Sequence, residues 1–380
     1  MKLRQWMSSS LDVNIVIVGC GIVGAAIAYE LSQLPQLKIR VFDRQAPAQA
    51  ATGAALGVLM AAISQKPKGN TFQKRLLGIQ TYDQWIPQLE AITNREIPYN
   101  RQGILRLCFV GEDLDRWRSL AEIRHAQGLQ LEICDRAYLV ANYPYLNLEQ
   151  VIGAVYSPSD RQVNPTALTL ALIAAAEQNG ATFHFDTPIV FKSPPLQTDS
   201  GNLTRLNTPT ETIELDWLII AAGLGSPALT ASLQQSMNIR PVLGQAVQVV
   251  VEQPLGLPKR QPVITGNDIN LVPLGKGKYW IGATVEFEDA ETQSFMALHP
   301  NSDRLDAMMR EAIALVPALK NAQVVQQWSG LRPRPEGRPA PIVELLTDYT
   351  NVILASGHYR NGVLLAPTTA KQVKEIIQQG

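Results

Sequence analysis

Residues 14–31 read NIVIVGCGIVGAAIAYEL, and this stretch decides the fold. Asn14 to Val18 is a β-branched run of the kind found in a strand buried on both faces. Glycines follow at 19, 21 and 24, and the small residues after them read as a helix. Lys38 to Phe42 (KIRVF) is a second strand, ending at Asp43, nineteen residues past Gly24. Strand, glycines, helix, strand and acid in that order make a βαβ unit, so a parallel sheet is expected. Gly19 permits a tight turn, Gly21 lets backbone approach a pyrophosphate, and Gly24 lets the helix pack on the strand. The helix N-terminus, with Ile22 and Val23 in its first turn, offers free N–H groups and a positive dipole end to phosphates. Asp43 is placed to accept hydrogen bonds from a ribose, with Arg44 beside it. A lone G-x-G-x-x-G is weak evidence, but here its whole context is present. The unit points to a dinucleotide and does not separate FAD from NAD.

Outward from this unit, Pro165 to Gln178 is an Ala/Leu-rich helix ended by Asn179-Gly180, and Thr182 to Phe185 is a strand. Trp217 to Ala221 is an apolar strand, and Pro241 to Glu286 alternates apolar and polar residues as antiparallel sheet does. Ser302 to Val316 and Thr368 to Gln379 read as helices, and Asn351 to Ala355 as a short buried strand. Ser193 to Thr210, rich in Pro, Thr and Ser, reads as a surface turn region. βαβ signals sit at both ends and in the middle, with β-rich material between. The fold class is therefore α/β, with a Rossmann-like dinucleotide domain interleaved with a smaller α+β domain on a mixed or antiparallel sheet. The division places residues 12–85, 150–238 and 325–380 in the first and 86–149 and 239–324 in the second.

The chain has 380 residues, 46% hydrophobic and 17% charged, with 33 basic and 33 acidic side chains. A net charge of zero gives no pull toward nucleic acid or anionic lipid, so a small-molecule substrate is expected. The three cysteines, Cys20, Cys108 and Cys134, are far apart and suit reduced thiols. With four histidines and no paired Cys/His spacing, no metal site is expected. The apolar run Ile15 to Tyr29 is too short to span a bilayer, and MKLRQWMSSSLD does not resemble a signal peptide. A cytoplasmic protein without an integral membrane segment is expected, and a homo-oligomer is compatible with the sequence.

After the second strand comes Ala51-Thr52-Gly53-Ala54-Ala55-Leu56-Gly57-Val58-Leu59. Its small side chains suit a backbone passing close to a cofactor, with Thr52 bonding a phosphate; they equally suit helix-on-sheet packing. The opening VIVGCGIVGAAIAYEL and this ATGAALG run resemble the D-amino-acid oxidase and glycine oxidase family of flavoenzymes. The likeness continues in order through RQVNPTAL (161–168), LIIAAGLGS (218–226), PVLGQ (241–245), IGATVE (281–286), WSGLRPRPEGRPAP (328–341) and GHYRNGVLLAPTTA (357–370). It implies non-covalent FAD, since relatives that tether flavin use a cysteine in the C-terminal half and this chain has none there.

By that resemblance Arg332, in GLRP, binds a substrate carboxylate, a task suited to a bidentate guanidinium. Arg360 lies near substrate and flavin. The backbone of Gly357, His358, Tyr359, Asn361, Gly362, Val363 and Leu364 runs along the isoalloxazine, and the C-terminal helix points at its O2/N1 edge. Ile189 matches a residue pairing with adenine, and Ala221, Ala222 and Gly223 approach the pyrophosphate or ribose. His358 reads as a packed neighbour rather than a base, because hydride transfer from a neutral amine needs orientation more than a protein base.

The chain also departs from glycine oxidases. Asn270 replaces a tyrosine, Leu274 an arginine after proline, and Asp268 a histidine. Asn270 therefore stands in the substrate wall with room above the flavin, and an inward Asp268 would favour a cationic or polar side chain over an acidic one. The implied reaction is oxidation of a small amine or amino acid to the imine by hydride transfer to the flavin, then hydrolysis to the keto acid, with O2 as acceptor giving H2O2. A dehydrogenase passing electrons to a quinone, or a flavoprotein acting without turnover through a partner, are the alternatives.

Overall fold

The computed structural model describes residues 12–189, 201–207, 211–287 and 301–379. The N-terminal segment read above as lacking a signal lies outside them.

The run from Val13 to Val18 is apolar throughout because both of its faces are covered. Ile15 and Ile17 join one core cluster, and Val16 and Val18 join another on the far side. This strand pairs in parallel with Leu37–Phe42 on one side and Trp217–Ile220 on the other. Thr182–His184 extends the sheet beyond Leu37–Phe42, and Val352–Ser356 extends it beyond Trp217–Ile220, both parallel. Ile342–Leu345 closes it as an antiparallel sixth strand.

Helices Ile22–Ser32, Asn70–Thr93, Pro165–Gln178 and Gly362–Gln379 pack together over one face. The other face is covered by Leu203, Leu206 and Ile213 from a hairpin segment and Leu233 after a short helix. The helix from Pro165 follows the sequence reading, with Asn164 accepting the Ala167 N–H at 3.0 Å as N-cap and proline in the first turn.

The second sheet has eight strands, in the order Gln323–Pro335, Ile239–Val250, Lys278–Gly282, Ile269–Gly275, Val263–Gly266, Ile104–Phe109, Val151–Ser157 and Glu132–Cys134. All neighbours are antiparallel except Val263–Gly266 with Ile104–Phe109, so the sheet is mixed. Alternation sends Val247, Val249, Leu271 and Ile281 toward the helix Ser302–Leu315. The opposite face meets Leu56 and Ile63 of the first unit.

Two strands fall on the other side of the division read from sequence. Val151–Ser157 and Gln323–Pro335 hydrogen-bond into the eight-stranded sheet, although the division read from sequence opens its dinucleotide-domain segments 150–238 and 325–380 with them. The C-terminal helix begins at Gly362, not at Thr368, with Pro367 inside it. Proline cannot donate to the carbonyl four residues back, which is that of Val363. The Tyr82 hydroxyl donates to that carbonyl instead, at 2.5 Å, which is why the proline does not end the helix. The region read as a surface turn, Ser193 to Thr210, lies partly outside the described residues. Within them, Arg205–Asn207 pairs with Thr212–Glu214 as a hairpin.

Candidate active site

The glycine turn is fixed by close approach. Gly19 has φ +105°, and a Cβ there would stand 2.5 Å from the Ala221 carbonyl oxygen. A Cβ on Gly24 would stand 1.9 Å from the Gly19 oxygen, so helix and turn touch backbone to backbone. Gly21 differs: its backbone is extended, and a Cβ would meet only the Thr52 hydroxyl, at 2.9 Å. That hydroxyl accepts the Ile22 N–H at 3.0 Å, and its own proton is left to donate. The remaining first-turn amides have no partner within the helix. Asp43 secures the turn from the other side, accepting from Cys20 N–H at 2.6 Å and from Gln45 N–H at 3.0 Å. Arg44 is exposed beside it.

The other cofactor candidates gather at the same carboxyl ends of the parallel strands. Thr187 N–H donates to the Asp43 carbonyl at 2.8 Å, which brings buried Ile189 next to the acid. Ala221 N–H donates to the Val18 carbonyl at 2.8 Å, and Ala222 leads into the left-handed Gly223. Ser356 Oγ donates to the Gly223 carbonyl at 3.2 Å, tying in the strand that Ser356 ends, just before Gly357. A crevice at strand carboxyl ends is where open α/β sheets bind nucleotides.

Ala51 to Leu59 then bridges the two sheets. Gly57 has φ +69°, with its carbonyl accepting from Val163 N–H, and Val58–Leu59 pairs with Gln162 and Arg161. Ala54 packs where Gly330 has no side chain, and the Ala54 carbonyl accepts from Trp328 Nε1 at 3.1 Å. The segment is therefore close-packed against the second sheet, which answers why its residues are small.

Arg332 projects from the edge strand across its neighbour. Its guanidinium lies over Gly244, where a Cβ would come within 2.1 Å of Nη2. Nη1 donates to the Leu243 carbonyl and Nη2 to the Thr284 carbonyl, both at 3.0 Å. Burial, and then the neighbouring Arg360 cation, lower its pKa, yet a guanidinium stays charged. Arg360 sits in a short 3-10 turn, Tyr359–Asn361, packed against the Arg332 strand, and its side chain is exposed.

His358 is buried and its Nε2 lies 2.9 Å from Thr369 Oγ1. Burial lowers its pKa to about 4, so the ring is neutral near pH 7. Asn361 N–H donates to its carbonyl at 3.0 Å, and Gly362, Val363 and Leu364 start the C-terminal helix there.

The wall residues separate. Asn270 lies on the sheet face shared with Gly282; its Nδ2 donates to the Gly282 carbonyl at 3.1 Å, and its buried Oδ1 has no partner. Leu274 is partly buried on the same face. Asp268 does not join them. Asn267 and Asp268 have φ +48° and +60° between two antiparallel strands, and Asp268 is exposed. Left-handed residues at both centres of a two-residue hairpin make a tight turn that puts the side chain at the tip. The charge expected to favour cationic substrates is thus away from Arg332.

Sequence reading missed a buried pair that shapes the segment after Leu59. Asp160 accepts the N–H groups of Ala61, Ala62 and Ile63 at 2.6, 3.0 and 2.8 Å. Arg124, fully buried, donates to the carbonyls of Ala62, Ser64, Lys66 and Pro67. A charged residue directly before the RQVN block was the available signal.

Parallel strands ending at a glycine turn, beside a mixed sheet that carries an arginine over a glycine, define a dinucleotide-dependent oxidoreductase. The chain belongs to the FAD dependent oxidoreductase family, whose model matches residues 14–376. The glycine oxidase of Bacillus licheniformis is 26% identical over 364 residues, covering 96% of this chain and 92% of that protein. The bifunctional protein ThiO/ThiG of Synechocystis sp. is 30% identical over 377 residues; the match covers 96% of this chain and 51% of that one, so this chain spans about half its length. The crystal structure of glycine oxidase from Geobacillus kaustophilus superposes with a TM-score of 0.82 at 25% identity, over 97% of this chain and 95% of that one. The protein is an FAD-dependent amine or amino-acid oxidoreductase of the glycine oxidase type. The glycine cradle fits that cofactor, since Gly21 leaves open the side on which Thr52 and the first-turn amides converge. Among the described residues no helix is long and apolar enough to cross a membrane, and no His, Cys, Asp or Glu cluster is arranged for a metal.

Proposed function

We propose that the protein oxidises the Cα–N bond of a small amine or amino acid of the glycine or D-amino-acid type, with Arg332 holding the substrate carboxylate. The observation carrying this reading is the Arg332 guanidinium, laid over Gly244 and pinned by two carbonyls. Those two bonds occupy one N–H on each terminal nitrogen and leave others for a carboxylate. FAD, when bound, supplies a two-electron acceptor. The substrate Cα–H bond breaks with its electron pair leaving, the nitrogen lone pair closes the C=N bond, and a proton is lost from nitrogen. Water then adds to the imine, giving a keto acid and ammonia or an amine. O2 is the acceptor in this reading, taking two electrons and two protons to become H2O2.

Asn270 Oδ1, buried and unpartnered, accepts an N–H of the substrate amine. His358, neutral and packed against Thr369, serves as a wall of the cofactor site and not as a base. Gly19, Gly21, Gly24, Asp43, Thr52, Ile189 and Ala221 to Gly223 hold the dinucleotide half.

The test is a panel of glycine, sarcosine and D- and L-amino acids read by flavin bleaching under nitrogen, followed by admission of air. Bleaching by at least one amino acid is expected, with H2O2 on reoxidation. No bleaching by any of them sinks the reading. Bleaching that air fails to reverse transfers the electrons to another carrier.

A further inference from the structure

Two blocks of sequence given no role so far, PVLGQ at 241–245 and IGATVE at 281–286, meet on the sheet face that carries the Arg332 guanidinium. In an antiparallel ladder every second opposed pair exchanges both of its N–H···O bonds. Leu243 and Glu286 are such a pair, with bonds of 2.9 and 3.0 Å. Gln245 and Thr284 stand where the next one falls. Thr284 N–H does donate to the Gln245 carbonyl, at 3.1 Å, but the return bond from Gln245 N–H goes to Thr284 Oγ1, at 2.8 Å. The hydroxyl stands in for the carbonyl of its own residue.

A carbonyl released from the ladder is open to another donor, and Arg332 Nη2 takes it at 3.0 Å. The two anchors of the guanidinium therefore differ. The Leu243 carbonyl divides its lone pairs between Glu286 N–H and Arg332 Nη1, whereas the Thr284 carbonyl, among the described residues, serves Arg332 alone. Two buried side chains keep the hydroxyl in the ladder. Glu286 Oε1 accepts the hydroxyl proton at 2.5 Å and an N–H of Gln245 Nε2 at 2.8 Å, which turns the hydroxyl lone pairs toward the Gln245 backbone N–H. Gln245 Nε2 also donates to the Asn301 carbonyl at 2.8 Å, which fixes the amide in place.

The geometry points to Thr284 as a positioning residue for the substrate carboxylate, acting through Arg332. Its hydroxyl occupies the ladder so that its carbonyl can fix the guanidinium, and Glu286 and Gln245 hold the hydroxyl to that task. Serine can take the place of threonine here and valine cannot, although valine has the same shape, because the acceptor is the hydroxyl oxygen. Without that oxygen the Gln245 N–H, in a residue only 3% exposed, draws the carbonyl back into the ladder and away from Nη2, since an unpaired buried donor is costly. This inference rests on the reading of Arg332 as the carboxylate site and deepens it.

The experiment titrates acetate, a carboxylate with no amine to be oxidised, into the FAD-loaded enzyme and reads the shift of the flavin absorption band. Loss of one hydrogen bond to a charged group corresponds to about ten- to a hundredfold in affinity. Thr284→Val is expected to weaken acetate by that factor at the parent's FAD content, and Thr284→Ser to restore the affinity to within threefold. Arg332→Lys should weaken acetate as well, and adding Thr284→Val to it should cost less than a further factor of about two, since the hydroxyl acts only through the guanidinium. A loss below tenfold in Thr284→Val, or an equal loss in both backgrounds, overturns the inference and leaves Arg332 and amine oxidation standing. Acetate that the parent does not bind, or that Arg332→Lys binds equally well, overturns the Arg332 reading and the inference with it. If Thr284→Val fails to retain FAD, Thr284→Ala removes the same hydroxyl with less bulk and is held to the same outcomes.

Discussion

The glycine turn and the arginine face meet the same crevice but are built of different material. At the turn, backbone touches backbone: a Cβ at Gly19 or Gly24 would enter the space of a carbonyl oxygen. On the face, the long Arg332 side chain lies over a glycine floor at Gly244 and keeps donors in reserve. Main-chain contacts admit no compromise, so the first region has one solution. Side chains of equal reach can be exchanged, so the second can vary while the fold stays.

The widest gap between the two should appear in all-or-none loss. Gly21→Val places methyl groups against Thr52 and the path of the pyrophosphate. The purified variant is expected to be folded by circular dichroism and colourless, with no FAD released by acid. Full flavin occupancy would show that the turn is not the cradle. On the arginine face the change should be graded. Arg332→Lys loses the paired contact, costing roughly 2–4 kcal/mol of transition-state binding, or about 30- to 1000-fold in kcat/KM. FAD content should stay at the parent level, and activity within about threefold of the parent would remove Arg332 from the site.

Between the regions sits His358, and its effect should be on stability. An unfolded imidazole takes its proton below about pH 6.5, whereas the folded one does so only below about 4. Across that window unfolding takes up a proton, so stability falls as pH falls and levels off below it. The contribution is about 3 kcal/mol. Urea midpoints from pH 7 to 4 should show this slope in the parent and lose it in His358→Asn; identical slopes would place the acid sensitivity elsewhere. The smallest effect should come from Tyr82→Phe. Burial raises the phenol pKa and keeps its proton on, and without it the Val363 carbonyl has no donor. A loss of about 1–2 kcal/mol is expected in chemical denaturation, and no loss would mean that Pro367 is tolerated for another reason.

These contrasts also explain what could be read in advance. The strand, glycines and Asp43 were legible because their spacing is local and each residue type has one use there. Arg332 was singled out only through the family pattern, since nothing in GLRP states that Gly244, eighty-eight positions earlier, clears its path. The outward place of Asp268 was not legible because the turn depends on two consecutive left-handed residues, Asn267 and Asp268, and neither is glycine. The early start of the C-terminal helix was hidden because Pro367 is excused by a hydroxyl that reaches the Val363 carbonyl from 281 positions away. Asp160 and Arg124 act on backbone groups of a remote segment, which leaves no periodicity to detect.

The order of strands in the six-stranded sheet sets a schedule for synthesis. Trp217–Ile220 pairs with Val13–Val18, but its other edge waits for Val352–Ser356. At bacterial-to-eukaryotic elongation rates of about 5–20 residues per second, the roughly 130 intervening residues take about 7–26 seconds to emerge. Throughout that interval the edge of WLII, buried on all four residues in the finished protein, stands unpaired on the nascent chain. Ribosome-bound intermediates of this length are where a chaperone would be needed most, and slowing translation after Ile220 should lower the soluble yield.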